Sequence, residues 1–207
     1  MPEKNVVIRF HNGALEARLN EAPGDRAALV SHPHPLYGGD MYNSVVSAIV
    51  DAYREANYTT LRFNFRGIGR NQTSYDQAEG GKADVRAALD YLRDLGKTAI
   101  DLAGYSFGSW INTIGLDGYN HANRLTLVSP PVAFLDFSAL LPDEKIQLVI
   151  TGSNDELAPP AELKRLVSRW NPNARLVIIQ GADHFYFNET QKVREAVCDF
   201  LRADEAG

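Results

Sequence analysis

From Val6 almost to the C-terminus, apolar runs of strand length alternate with longer stretches whose apolar residues recur at helical spacing. Gly, Pro and Asn stand between them. The first two runs, VVIRF and ALEARLN, are separated by His11-Asn12-Gly13, whose Asn-Gly pair signals a hairpin, so the sheet begins antiparallel. RAALVSH then reads as a strand, MYNSVVSAIVDAYREAN as a helix, and YTTLRFNF as a strand rich in β-branched and aromatic residues. After a loop from Arg66, KADVRAALDYLRDLG reads as a helix with Val85, Leu89 and Leu92 on one face and Gly96 placed to end it. TAIDLAGYS, LTLVSP, QLVITG and ARLVIIQG are short apolar runs bounded by turn residues, each a buried strand. The pattern predicts an α/β fold: about eight strands in a mostly parallel, doubly wound sheet, helices on both faces, and the first strand reversed. No repeat, low-complexity tract or linker divides the chain, so residues 1–207 are expected to form one domain. The link from Pro130 to Ile146 is where a lid would be inserted, and at roughly 15 residues it is little more than a long loop. Any lid is minimal or absent.

One strand run leads straight into a chemical motif. Gly104-Tyr105-Ser106-Phe107-Gly108 follows TAIDLAGY and precedes FGSWINTIGLDG, which can be helical. A serine projected from a tight strand-to-helix turn sits in a strained backbone, and flanking glycines remove side chains that would clash there. Its hydroxyl then stands above the sheet edge as a nucleophile, and the Phe107 amide at the helix start can stabilise an oxyanion. A serine hydroxyl is a weak nucleophile without a base. Two later strands supply partners in the required order: Asp155 follows QLVITGSN, and His184 follows ARLVIIQGAD. In this reading His184 takes and returns the proton while Asp155 orients the imidazole. Glu156 is the nearest substitute for Asp155; Asp183 and Asp136 are more remote ones. His11 and His121 lie in polar turns and are read as solvated.

Composition narrows the field. The 207 residues are 44% hydrophobic and 23% charged, as in an ordinary globular protein, and the formal net charge is -5. That balance offers no basic field to nucleic acid or to an anionic membrane. Cys198 is the single cysteine, so no intrachain disulfide forms, which fits a reducing compartment. The N-terminus lacks the layout of a signal peptide, and no run approaches the ~20 apolar residues of a membrane helix, so a cytoplasmic location is expected.

HPHPLYGGDMYN, NFRGIGRN, GYSFG, GSNDELAPP and GADHFY, in this order from the third strand onward, resemble the small, nearly lidless bacterial α/β-hydrolases with a His-Pro oxyanion loop. These include dienelactone-hydrolase-like proteins and small carboxylesterases. The resemblance implies Ser106 as nucleophile, Asp155 as acid, His184 as base, and backbone amides of Phe107 and His34 as oxyanion donors. In the loop itself Pro33 and Pro35 have no N–H, which leaves His34, Leu36 and Tyr37 as candidates. Dienelactone hydrolases proper use cysteine where this chain has serine, so their substrate is not implied.

The leading expectation is therefore a serine esterase or thioesterase acting on small acyl substrates, with no metal or organic cofactor. Leu36, Tyr37, Tyr105, Phe107, Phe134, Phe185 and Tyr186 are candidates for an apolar pocket. Amide or peptide hydrolysis and perhydrolysis on the same residues remain open, as does a non-catalytic binding protein on this fold. His32 and His34 form a weak alternative metal pair, and a structural role for His32 is equally compatible. Arg66 or Arg70, in RGIGR, could hold an anionic substrate. Monomer and homodimer both fit.

Overall fold

The computed structural model describes residues 2–11, 13–66 and 78–205. Eight strands form one sheet: β1 (Lys4–Phe10), β2 (Gly13–Asn20), β3 (Arg26–Ser31), β4 (Thr59–Phe63), β5 (Ala99–Tyr105), β6 (Ala122–Val128), β7 (Ile146–Gly152) and β8 (Arg175–Ile179), in the order β1-β2-β4-β3-β5-β6-β7-β8. Among the described residues five α-helices accompany them: α1 (Ser44–Glu55), α2 (Glu79–Asp94), α3 (Phe107–Ile114), α4 (Pro160–Trp170) and α5 (Thr190–Glu205).

The sequence reading reverses the first strand, whereas the sheet reverses the second. β2 is antiparallel to both β1 and β4, and all pairings from β4 to β8 are parallel. A hairpin forces opposite directions on its two strands, so burial decides which of them docks. β2 buries Leu15, Ala17 and Leu19 almost completely, while in β1 Val7 is 49% exposed. β2 therefore lies inside and β1 becomes the edge. Asn12, on which the turn reading rests, lies outside the described residues.

Alternation along the central strands sends side chains to two separate cores. Ala27 and Leu29 of β3 pack with Val85 and Leu89 of α2, Ile111 of α3 and Leu163 of α4, whereas Ala28 and Val30 pack with Ile49 of α1 and Val197 of α5. α1 starts where Asn43 accepts hydrogen bonds from the Val45 and Val46 amides through its side chain, an N-cap that stops the preceding loop from extending the helix. With β3 to β8 parallel, the loops leaving the carboxyl ends of β3, β5, β6, β7 and β8 gather on one edge of the sheet. The connection between β6 and β7 contains no helix or strand, so it carries no lid domain.

Candidate active site

Ser106 is the single residue between β5 and α3. Its backbone sits at φ 54°, ψ -117°, a region that costs an L-residue about 1–3 kcal/mol. The surrounding structure over-determines it. The Ser106 amide donates to the Val128 carbonyl at 2.9 Å, and a Cβ at Gly108 would overlap the backbone carbonyl of Ser31, so α3 can lie this close to β3 only through glycine. Phe107 opens α3, which sets its amide at the positive end of the helix next to Ser106.

The loops after β7 and β8 are packed together just as closely. A Cβ at Gly152 would overlap the Ala182 carbonyl, and the Asn154 amide donates to that carbonyl at 2.9 Å. This contact brings Asp155 and His184 to the end of the turn that carries Ser106. Ser106 Oγ lies 2.9 Å from His184 Nε2, and His184 Nδ1 lies 3.0 and 3.1 Å from the two carboxylate oxygens of Asp155. Asp155 and His184 are buried, whereas Ser106 is partly accessible.

Three further donors converge on Asp155. Its Oδ1 accepts the amides of Leu157 (3.0 Å) and Ala158 (2.8 Å), and its Oδ2 accepts the hydroxyl of Ser129 at 2.6 Å. Burial opposes its ionisation, but the bonds from His184, Ser129 and Ala158 outweigh it and hold the carboxyl below its ordinary range. Asp155 thus presents a fixed negative charge to the imidazole. The alternative acids are not so placed: Glu156, Asp183 and Asp136 are exposed, and the latter two cap the turns at Phe185 and Ser138.

A cleft of about 500 Å³ opens over Ser106, within the range of small-ligand sites. Its walls include Tyr37, Tyr105, Phe107, Phe134 and Phe185, five of the expected pocket residues, together with His34, Leu135 and Leu157. Leu36 and Tyr186 were expected beside them and are elsewhere. Leu36 points outward, 70% exposed, because its amide closes the turn and leaves its side chain on the outer face. Tyr186 is fully buried with its hydroxyl 2.7 Å from Ser129.

An α/β serine hydrolase homologue from Coxiella burnetii superposes on this structure with a TM-score of 0.88. The two are 31% identical over 97% of this chain and 98% of that one. The chain belongs to the α/β-hydrolase family. An uncharacterised protein of Rickettsia prowazekii is 36% identical over 97% of this chain and 89% of its own length. A Xanthomonas campestris protein, described as an α/β serine hydrolase without a lid, is 28% identical over 97% of this chain and 94% of its own, with a TM-score of 0.86. No protein-family model matches the sequence.

In this hydrolase the loop after β3 is held by His32. The ring is fully buried, with Nδ1 2.6 Å from the Pro33 carbonyl and Nε2 accepting the Phe65 amide at 3.0 Å. A carbonyl only accepts, so the proton is on Nδ1 and the ring is neutral. Both nitrogens are engaged, which removes the reading of His32 and His34 as a metal pair. Among the described residues no group of His, Cys, Asp and Glu is arranged to hold a metal ion. Burial pushes the His32 pKa down to about 4, against the pull of the Pro33 carbonyl toward the charged form. The unfolded chain titrates near the ordinary 6.5. Stability from the neutral ring is therefore complete above pH 6.5 and is lost as pH falls toward 4, by on the order of 3 kcal/mol. Urea unfolding between pH 7.5 and 4.5 is expected to show this slope, and His32→Gln, though less stable throughout, to flatten it. Equal slopes in the two proteins would exclude His32 as the cause.

His34 follows, and its Nδ1 accepts the Leu36 amide at 3.1 Å while its carbonyl accepts the Tyr37 amide at 3.1 Å. Two of the loop's three candidate oxyanion donors are thus engaged within the turn. Arg66 is likewise committed: Nε and Nη2 donate to Asp84 Oδ1 at 2.9 and 2.8 Å, and its amide donates to Oδ2 at 2.9 Å. It anchors the chain leaving β4 to α2 and is not among the residues that line the cleft. Arg70 lies outside the described residues. Among the described residues no helix is long and apolar enough to cross a membrane.

Sequence reasoning missed Ser129. Its one signal is position, as the first residue after an apolar strand run ending on the same sheet edge as Ser106, Asp155 and His184.

Proposed function

We propose that the protein is a serine hydrolase that cleaves small carboxylic esters or thioesters through an acyl-enzyme. The observation that carries this reading is the continuous line from Ser106 Oγ to His184 Nε2 (2.9 Å) and from His184 Nδ1 to Asp155 (3.0 Å), set at the floor of a cleft. His184 takes the Ser106 proton as Oγ attacks the substrate carbonyl carbon. The oxyanion that forms is held by the amides of Phe107 and His34. When the tetrahedral intermediate collapses, His184 returns the proton to the departing alcohol or thiol, leaving Ser106 acylated. A water then adds to the acyl carbon with His184 again as base, and Ser106 is regenerated. Asp155 stays ionised throughout and stabilises the imidazolium.

Small substrates follow from the site's dimensions. A 500 Å³ cleft with aromatic walls and, among the described residues, no lid gives a short acyl group full contact and leaves the tail of a long one in water. In a series of p-nitrophenyl esters, acetate and butyrate are expected to be turned over with kcat/KM about tenfold or more above laurate. Fastest turnover of laurate would refute the small-substrate reading. Cleavage of anilides in preference to all esters would replace ester hydrolysis by amide hydrolysis.

A further inference from the structure

Asp155 is also the end of a line of hydroxyls that acid-base chemistry at Ser106 does not use. Ser129, the first residue past β6, is completely buried and held at φ 46°, with its amide donating to the Ile150 carbonyl at 2.7 Å. Its Oγ lies 2.6 Å from Asp155 Oδ2 and 2.7 Å from the Tyr186 hydroxyl. An ionised carboxylate only accepts hydrogen bonds. The Ser129 proton is therefore directed to Asp155, and its oxygen accepts from Tyr186. Burial raises the Tyr186 pKa above its ordinary value, so the phenol keeps the proton that this arrangement needs.

Tyr186 is itself at φ 53°, two residues past His184. Its ring stands 6.2 Å from that of Tyr105, whose hydroxyl donates to the His184 carbonyl at 2.8 Å. The carboxylate is gripped from two directions. Oδ1 is bound by the Leu157 and Ala158 amides of its own loop, and Oδ2 by Ser129 from the neighbouring strand end. Beside His184 Nδ1, which lies near both oxygens, the Ser129 bond to Oδ2 opposes a pivot of the carboxylate about Oδ1.

We propose that Ser129 and Tyr186 are positioning residues for the hydrolytic reaction, a hydroxyl relay that fixes the plane of the Asp155 carboxylate against His184. This assignment rests on the esterase reading. Ser129→Ala is expected to lower kcat by about 10- to 100-fold, the rate equivalent of a charge-assisted hydrogen bond, with KM within about twofold. Tyr186→Phe, which keeps the ring, should lower kcat by about three- to tenfold. In an Asp155→Asn background, Ser129→Ala should change kcat by less than about twofold, because the group it orients no longer carries the charge. An equal loss in both backgrounds, or a change confined to KM, would mean a merely structural role and overturn the relay. If Ser129→Ala fails to fold, Tyr186→Phe decides: unchanged kcat overturns the proposal. Wild-type protein that turns over esters while both variants match it sinks the relay alone. Wild-type protein that neither turns over esters nor reacts with a fluorophosphonate sinks the hydrolase reading and the relay with it.

Discussion

Ser106→Ala is expected to lower ester turnover by about 10³- to 10⁶-fold and to abolish labelling by a fluorophosphonate probe, which modifies the wild-type protein at Ser106. The attacking atom is removed and little else changes. Serine and alanine both carry a Cβ, so the strain at φ 54° is common to the two, and the tie from the residue's amide to Val128 is a backbone bond that survives. Residual turnover would come from water attacking a carbonyl still bound beside the amides of Phe107 and His34. Labelling of the alanine variant at the wild-type rate would remove Ser106 from the reaction.

His184→Ala should lose turnover on the same scale while the protein stays folded. The substitution leaves Asp155 bonded to Ser129, Leu157 and Ala158, so no bare charge is left buried, the usual reason such a change unfolds a protein. Because nucleophile and base act as one unit, Ser106→Ala combined with His184→Ala should be no slower than either alone, within about threefold. Independent, multiplicative losses would show that His184 acts somewhere other than on the Ser106 proton. Near-ultraviolet circular dichroism separates lost chemistry from lost structure.

How much of this could be read from the chain follows from what each contact depends on. Ser106, Asp155 and His184 were legible because each lies within a few residues of the end of an apolar strand run, and parallel strands bring those ends to one edge. Order and short spacing were enough. The direction of the first two strands was not legible, because a hairpin turn dictates only that they oppose each other. The choice between them came from the burial of Leu15, Ala17 and Leu19 against Val7. The pairing of Arg66 with Asp84 was not legible because Asp84 lies 18 residues away on α2, where local pattern shows only a polar position in a helix. Leu36 and Tyr186 were judged by apolar character alone, and side-chain direction decided both against the pocket. Ser129 carries no motif. Its role depends on Asp155 and Tyr186, 26 and 57 residues further on, so only tertiary structure could bring it forward.

The plain connection between β6 and β7 makes the scaffold extensible. Ser129, at its first position, belongs to the core of the site, and Phe134 and Leu135 line the cleft, but Ser138, Leu141 and Pro142 are exposed. Closure entropy grows slowly with loop length, by about 0.6 kcal/mol for each doubling. Residues inserted at Leu141 would therefore load the fold only slightly and would displace none of Ser106, Asp155 and His184. By Asp143, whose amide donates to the Trp170 carbonyl at the end of α4, the connection has reached the foot of β7, so such an insertion stands away from the cleft and can carry a new surface with the site left as it is.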